Sequence, residues 1–212
     1  MRRTLLELPE NQLAALQVDQ RGNTCSFHAI STAIKLLFYR YIDPEKLSTE
    51  ANRLWWRGRF LRIAPDWAVT PLMQTRIVQY ITETQGLPVA AKFLKSSPQN
   101  LQNLLLDPPE DVIPIITILW MWGKAPPIYY GNSTHNFNKT RAAGAHSMIF
   151  AAYDPDHRAG DQFPTPWGFI NTWRDNASHL FWMTDADFQK AWHFWLPGVG
   201  PNPLVLIKRS FD

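Results

Sequence analysis

The only cysteine of the chain lies in the segment Gln20-Arg21-Gly22-Asn23-Thr24-Cys25-Ser26-Phe27-His28-Ala29-Ile30, which predicts the start of a long buried helix. Gly22 and Asn23 predict a turn, and Asn23 or Thr24 is a suitable cap for a helix that begins at or near Cys25. Apolar residues then recur at helical spacing, as Ile30, Ala33, Ile34, Leu37, Phe38 and Tyr41. This spacing predicts a helix that runs from about Cys25 to Tyr41 and is buried along one face.

A thiol in the first turn of such a helix lies beside unpaired backbone N–H groups and the positive end of the helix dipole. Both stabilise the thiolate, so we expect the pKa of Cys25 to be depressed and the sulfur to be nucleophilic. The alternative is that Cys25 is a small buried apolar residue, as many single cysteines are. This stretch alone leaves both interpretations open.

Composition sets broad bounds on the protein. A chain of 212 residues with 45% hydrophobic residues predicts one globular domain with a substantial core. The net charge is only +3, from 21 basic and 18 acidic residues, which argues against a nucleic-acid partner. A single cysteine cannot form an intramolecular disulfide, and no apolar run of signal-peptide length follows the N-terminus. We therefore expect a cytoplasmic protein with no membrane insertion, no metal and no cofactor.

The predicted elements divide the chain into a helical part and a strand part. Helices are expected from Pro44, from Pro71 and, more briefly, from Pro98, because each proline follows a capping residue. Strands are expected at Leu87–Leu94, Val112–Trp122, Ser147–Tyr153, Trp167–Asn171, His179–Met183 and Leu204–Lys208, with a helix capped by Thr184 between the last two. The pattern is that of an α+β protein, with a helical lobe over about 23–107 and a β lobe over about 108–212.

Two residues in the strand part are suited to serve the thiol. His146 lies at the entry of an apolar strand, where a side chain is held more rigidly than in a loop, as a general base requires. A half-exposed histidine without a function fits the same position. Asn171 ends another apolar strand, and its amide can accept from one imidazole nitrogen and so orient the ring. Trp173 follows two residues later and can shield that hydrogen bond from water.

In this order, Cys25, His146 and Asn171 resemble the catalytic residues of the papain-like cysteine peptidases. The segments Ala151-Ala152-Tyr153 and Asn171-Thr172-Trp173 are similar to the family's strand after the histidine and to its Asn-Ser-Trp. The resemblance implies a two-lobed fold with an antiparallel β C-terminal lobe and the active site between the lobes. It also implies that Cys25 is the nucleophile, His146 the base and Asn171 the residue that orients the base.

By the same resemblance, Gln20 donates to the oxyanion together with the backbone N–H of Cys25. Gln20 lies five residues before Cys25, one fewer than is usual in the family, so Gln17 is an alternative donor. The segment Ser97 to Trp122 resembles that of bacterial bacteriocin-processing peptidases, which have narrow substrates.

We therefore expect a thiol-dependent peptidase acting on a narrow peptide or protein substrate. The same residues also support acyl transfer, as in transglutaminases, or deamidation, and a non-catalytic peptide- or nucleic-acid-binding module is an alternative of another class. His28 is a second candidate base, although a Cys–His pair on one helical turn leaves no room for a substrate. The long loop Gly123–Ala143 precedes the strand of His146, so Tyr129 and Tyr130, with Trp173, are expected to contact the substrate.

Overall fold

The computed structural model describes residues 2–106, 112–121, 125–131, 143–159, 163–172, 178–193 and 199–210. Within these ranges the protein has an α+β fold. The α-helices are α1 (Glu10–Ala14), α2 (Cys25–Phe38), α3 (Pro44–Trp55), α4 (Pro71–Gln85), α5 (Pro98–Leu106) and α6 (Asp185–Trp192). The strands are β1 (Arg3–Thr4), β2 (Val89–Lys95), β3 (Val112–Met121), β4 (Tyr129–Tyr130), β5 (Ala143–Tyr153), β6 (Arg158–Ala159), β7 (Phe163–Pro164), β8 (Trp167–Ile170), β9 (Phe181–Met183) and β10 (Pro203–Arg209).

One antiparallel sheet organises the molecule, in the strand order β2-β10-β3-β5-β8-β9-β4. Strand β1 pairs with the far end of β5, and β6 and β7 form a separate ribbon. The long strand β5 lies between β3 and β8, so residues at its start are close to residues at the ends of both neighbours. This arrangement places the segment around His146 in the middle of the sheet.

The sheet takes strands from both sides of the boundary expected near residue 107. Strand β2 belongs to the first part of the chain, and it pairs with β10 over its whole length. Buried apolar residues of both parts form a single cluster, in which α2 contributes Phe27, Ile30 and Ile34. Within the described residues, no helix has the length and apolar character needed to cross a membrane.

The predicted helix starts agree closely with the structure. Helix α2 begins at Cys25 as expected, but it ends at Phe38, because Tyr39 adopts a left-handed conformation with φ of 54°. Thr24 occupies the N-cap position, yet its hydroxyl donates to the Arg21 carbonyl and to Glu45 instead of capping the helix. The expected caps of the later helices are confirmed, with Asp43, Thr70 and Thr184 each accepting from backbone N–H groups of the first turn.

The cap of α4 provides a test of this helix. Thr70→Ala removes the acceptor for the Met73 N–H, so we expect the free energy of unfolding to fall by about 1 kcal/mol. Thr70→Ser retains the hydroxyl and should lose much less. Urea denaturation of the three proteins measures the difference, and equal midpoints for the alanine variant and the wild type would contradict the cap.

Candidate active site

A cavity of about 640 Å³ opens where α2 begins beside the sheet. The cavity is lined by residues from the start of α2, the loop before α4, strands β3 and β5 and the end of β8. Among them are Gln20, Cys25, Trp67, Trp120, His146 and Thr172. The structure thus brings three of the residues selected from the sequence, Gln20, Cys25 and His146, to one cavity, although His146 is far from the other two in the chain.

His146 and Asn171 form the hydrogen bond that was expected from their positions. The distance from His146 Nε2 to Asn171 Oδ1 is 2.7 Å, and both residues are buried. His146 is the fourth residue of β5 and pairs with Ile118, so it lies inside the strand and not at its entry as predicted. The strand starts earlier because β3 continues to Met121, which pairs with Ala143.

Gln17 forms a hydrogen bond with the backbone of Asn171. Its Oε1 accepts from the Asn171 backbone N–H at 3.0 Å, and its Nε2 donates to the His179 carbonyl at 2.8 Å. Gln17 is buried, and it is not among the residues that line the cavity. Gln17 is therefore bonded to Asn171 away from the cavity lining, whereas Gln20 lies on that lining.

Gln20 is tied to the residue that follows Asn171. Its backbone N–H donates to the Thr172 carbonyl at 2.7 Å, and its Oε1 accepts from the Thr172 hydroxyl. Its Nε2 donates to the Gly22 carbonyl at 2.8 Å, and an amide NH₂ carries a second N–H. The start of α2 and the end of β8 are thereby linked at the cavity.

Cys25 is the first residue of α2 and is partly exposed. Burial raises the pKa of its thiol, although the backbone N–H groups and hydroxyls of Ser26 and Ser147 act in the opposite direction. Burial also lowers the pKa of His146 to about 4, against the effect of its hydrogen bond to Asn171. Both groups are therefore neutral at pH 7. The expectation of a depressed thiol pKa is wrong, because desolvation outweighs the favourable contacts.

The serines that follow Cys25 and His146 in the chain meet in the core. Ser26 Oγ and Ser147 Oγ are 3.0 Å apart, and Gln74 Nε2 donates to Ser147 Oγ at 2.9 Å and to Ser26 Oγ at 3.1 Å. Thr117 Oγ1 lies 3.0 Å from Ser147 Oγ. Sequence reasoning missed this buried polar cluster, of which only Thr117 is a single polar residue in an otherwise apolar strand.

His28, the second candidate base, is engaged elsewhere. Its Nε2 lies 2.9 Å from Glu45 Oε1, which also accepts from the Arg21 backbone N–H and the Thr24 hydroxyl at 3.1 Å each. His28 is not among the cavity-lining residues. Glu45 was not selected from the sequence, because an acidic residue in the first turn of a helix is ordinarily explained by the helix dipole.

Trp120 forms one wall of the cavity because Gly144 leaves room for it. A Cβ atom on Gly144 would lie 2.2 Å from Trp120 Cζ2, so any other residue at this position would displace the indole. Trp67 is a second indole at the cavity, and it is largely exposed. The cavity thus combines polar groups near Cys25 with two indole rings.

The tyrosines expected to contact substrate lie in another place. Tyr129 and Tyr130 form β4, which pairs with β9, and neither is among the cavity-lining residues. Their rings pack against Phe163 and Phe181, respectively. Trp173 and most of the loop 123–143 lie outside the described residues, so their expected roles remain predictions.

In comparisons with known proteins, no family model and no curated protein sequence matches this chain. Among the described residues, no group of three His, Cys, Asp or Glu side chains comes together as a metal site. The fold and site define an α+β protein in which a partly exposed cysteine and a buried histidine, bonded to an asparagine amide, share one cavity.

The buried neutral histidine predicts a pH dependence of stability. The pKa of His146 is about 4 in the folded protein, against 6.5 for an ordinary histidine, so the unfolded chain takes up the proton first as the pH falls. Stability should therefore decrease from about pH 6.5 to pH 4, by roughly 2–3 kcal/mol at pH 4.5. Urea denaturation of the wild type and of His146→Gln between pH 7.5 and 4.5 measures this contribution.

Burial also lowers the pKa of His157, but His157 titrates in both proteins and cancels in the comparison. The wild type should lose more stability than His146→Gln over this interval. Parallel pH curves for the two proteins would show that His146 is not held in its neutral form.

Proposed function

We propose that the chain is a thiol-dependent cysteine peptidase of the papain-like type, with the cavity lying between a helical lobe and a β lobe. Cys25 is the nucleophile, His146 the general base, Asn171 the residue that orients the base, and Gln20 the side-chain donor to the oxyanion. The observation that carries this proposal is the 2.7 Å hydrogen bond between His146 and Asn171, made beside the cavity that also contains Cys25.

The hydrogen bond also assigns the tautomer of the base. An amide oxygen can only accept, so His146 donates from Nε2 to Asn171 Oδ1, and the lone pair of the ring is on Nδ1. Nδ1 is then the atom that receives the proton of the Cys25 thiol. Since both groups are neutral at rest, this transfer accompanies the attack on the substrate and does not precede it.

The reaction on a peptide follows from these roles. The sulfur of Cys25 bonds to the carbonyl carbon while its proton passes to His146, and the carbonyl oxygen becomes an oxyanion. The backbone N–H of Cys25, at the helix terminus, and the side-chain N–H of Gln20 stabilise that charge. The imidazolium then gives its proton to the departing amine, and a water molecule activated by His146 hydrolyses the thioester.

The site also supports a restricted substrate range. Trp120 and Trp67 give the cavity two large apolar surfaces, while Asp19 is a carboxylate on its lining. A peptide or protein segment with complementary side chains fits such a lining better than a generic peptide does. The substrate class in this proposal is therefore a peptide or protein recognised at a few positions.

Labelling with an electrophilic peptide-like epoxide, followed by mass mapping, tests the nucleophile and its base. We expect modification at Cys25 near pH 7 and a rate at least about 100-fold lower in His146→Ala, because a general base contributes that much or more. His193→Ala changes an exposed histidine outside the cavity and is the matched control. Equal labelling of the wild type and His146→Ala would overturn the proposal.

Hydrolysis of a peptide library, with and without an added amine, separates peptidase from acyl-transfer activity. The rate should hold from neutral pH to about pH 5 and fall as His146 is protonated near its pKa of about 4. Products formed only with the amine would assign transfer instead of hydrolysis. A lack of any turnover with intact Cys25 labelling would support a binding module.

A further inference from the structure

Arg62 is a buried charged residue beside the proposed site. Only 1% of its surface is exposed, whereas arginine side chains normally lie at the protein surface. Its guanidinium carbon lies 4.9 Å from the centre of the Phe27 ring, which belongs to the first turn of α2. The positive charge is therefore close to the N-terminal end of α2, which begins with Cys25.

The guanidinium bonds to the turn that leads into that helix. Its Nη2 donates to the Asn23 carbonyl at 3.2 Å, and its Nη1 donates to Asn52 Oδ1. Asn23 in turn donates from Nδ2 to the Asp66 carbonyl at 2.8 Å. The residue two positions before Cys25 is thus held by the loop that contains Arg62 and Asp66.

The positive charge of Arg62 has little direct compensation. The nearest carboxylate is that of Asp66, whose Oδ1 lies 3.8 Å from Nη1 and whose side chain is 86% exposed. Water screens such a pair strongly. Within the described residues, the Nε of Arg62 has no hydrogen-bond partner. A buried cation is costly to desolvate, so its retention here calls for an explanation beyond loop anchoring.

Three titratable groups attract Arg62 when they are ionised, and they come from three elements. They are Asp66 in its own loop, Cys25 at the start of α2 and Glu45 in α3, and attraction to each raises the pKa of Arg62, while burial lowers it. A pairwise attraction stabilises both partners, so the same interaction favours the thiolate of Cys25. For the thiol itself, burial raises the pKa, and the hydrogen bonds of Ser147 and Ser26 lower it.

We propose that Arg62 is a positioning residue of the thiol site, which holds the turn before Cys25 and places a buried positive charge that favours the thiolate formed during the attack. This inference rests on the proposed function only for its catalytic consequence. The effect on the sulfur itself is present whether or not the chain hydrolyses peptides.

The test is the pH dependence of Cys25 alkylation by iodoacetamide in the full chain, measured with the melting temperature of each variant. Arg62→Gln removes the charge, and we expect the pH midpoint to rise by about one unit, so that alkylation below the midpoint slows about tenfold. Arg62→Lys keeps a positive charge and should stay within about 0.3 units of the wild type, even if its melting temperature falls.

Two results would overturn the inference. One is a folded Arg62→Gln with the wild-type midpoint, and the other is an equal shift in Arg62→Lys and Arg62→Gln, which would indicate a purely structural role. With peptide substrate, a positioning role predicts a loss in kcat larger than the change in KM.

A second variant decides the matter if Arg62→Gln does not fold. Asp66→Asn changes an exposed side chain and retains an oxygen that can accept from Asn52 Nδ2. It removes a negative charge that is only weakly coupled to Arg62, so we expect a small fall of the midpoint. Asp156→Asn is the matched control, because Asp156 is also exposed and is not among the cavity-lining residues. A shift in Asp66→Asn that is absent, reversed or no larger than in Asp156→Asn would overturn the inference.

The outcome also separates this inference from the proposed function. Alkylation requires only the thiol, so an altered midpoint in a protein without peptidase activity would support the role of Arg62 and reject the peptidase. Peptidase activity with an unaltered midpoint in Arg62→Gln would support the proposed function and reject the role of Arg62.

Discussion

The contact between Ser26 and Ser147 sets the geometry on which the site depends. Each serine directly follows one of the two proposed reacting residues, so the 3.0 Å separation of their hydroxyls fixes the start of α2 against β5 and thereby Cys25 relative to His146. The side chain of Gln74 bonds to both hydroxyls and connects α4 to the same point. Three elements that are distant in the chain are therefore held together by one buried polar cluster.

Such a cluster specifies position better than apolar packing alone. Apolar contacts tolerate small shifts, whereas a buried hydroxyl or amide that loses its partner carries the full cost of desolvation. The surrounding core supplies most of the stabilisation, through Phe27, Ile30 and the apolar strands β3 and β5. The polar cluster then selects one alignment of the helix on the sheet among the several that packing would permit.

Two charged side chains flank the turn that precedes Cys25, and they act in different ways. Glu45 accepts three hydrogen bonds, from Arg21, Thr24 and His28, and Arg62 donates to the carbonyl of Asn23. Burial nevertheless keeps the thiol and the imidazole neutral at rest. For the proposed reaction this means that the hydrogen-bond donors are in place while Cys25 and His146 are uncharged.

Local chemistry in the sequence was enough to predict much of the fold. The capping residues before Pro44 and Pro71 and the apolar stripe after Cys25 are short-range signals, and they predicted the helix starts because capping and periodicity are decided within a few residues. The pairing of His146 with Asn171 was predicted from their places on two apolar strands, and the structure contains that hydrogen bond. The end of α2 was missed because a left-handed Tyr39 carries no glycine signal.

Only the tertiary structure decided the surroundings of these residues. Gln20 is the first candidate in the sequence and Gln17 the alternative. In the structure Gln17 bonds to Asn171 and Gln20 lines the cavity, because their contacts come from residues more than 150 positions away. The sign of the shift in the Cys25 pKa depends on how completely the folded chain excludes water, which no local pattern records. For the same reason the roles of Glu45, Gln74 and Arg62 follow from what packs around them and not from their own neighbours in the chain.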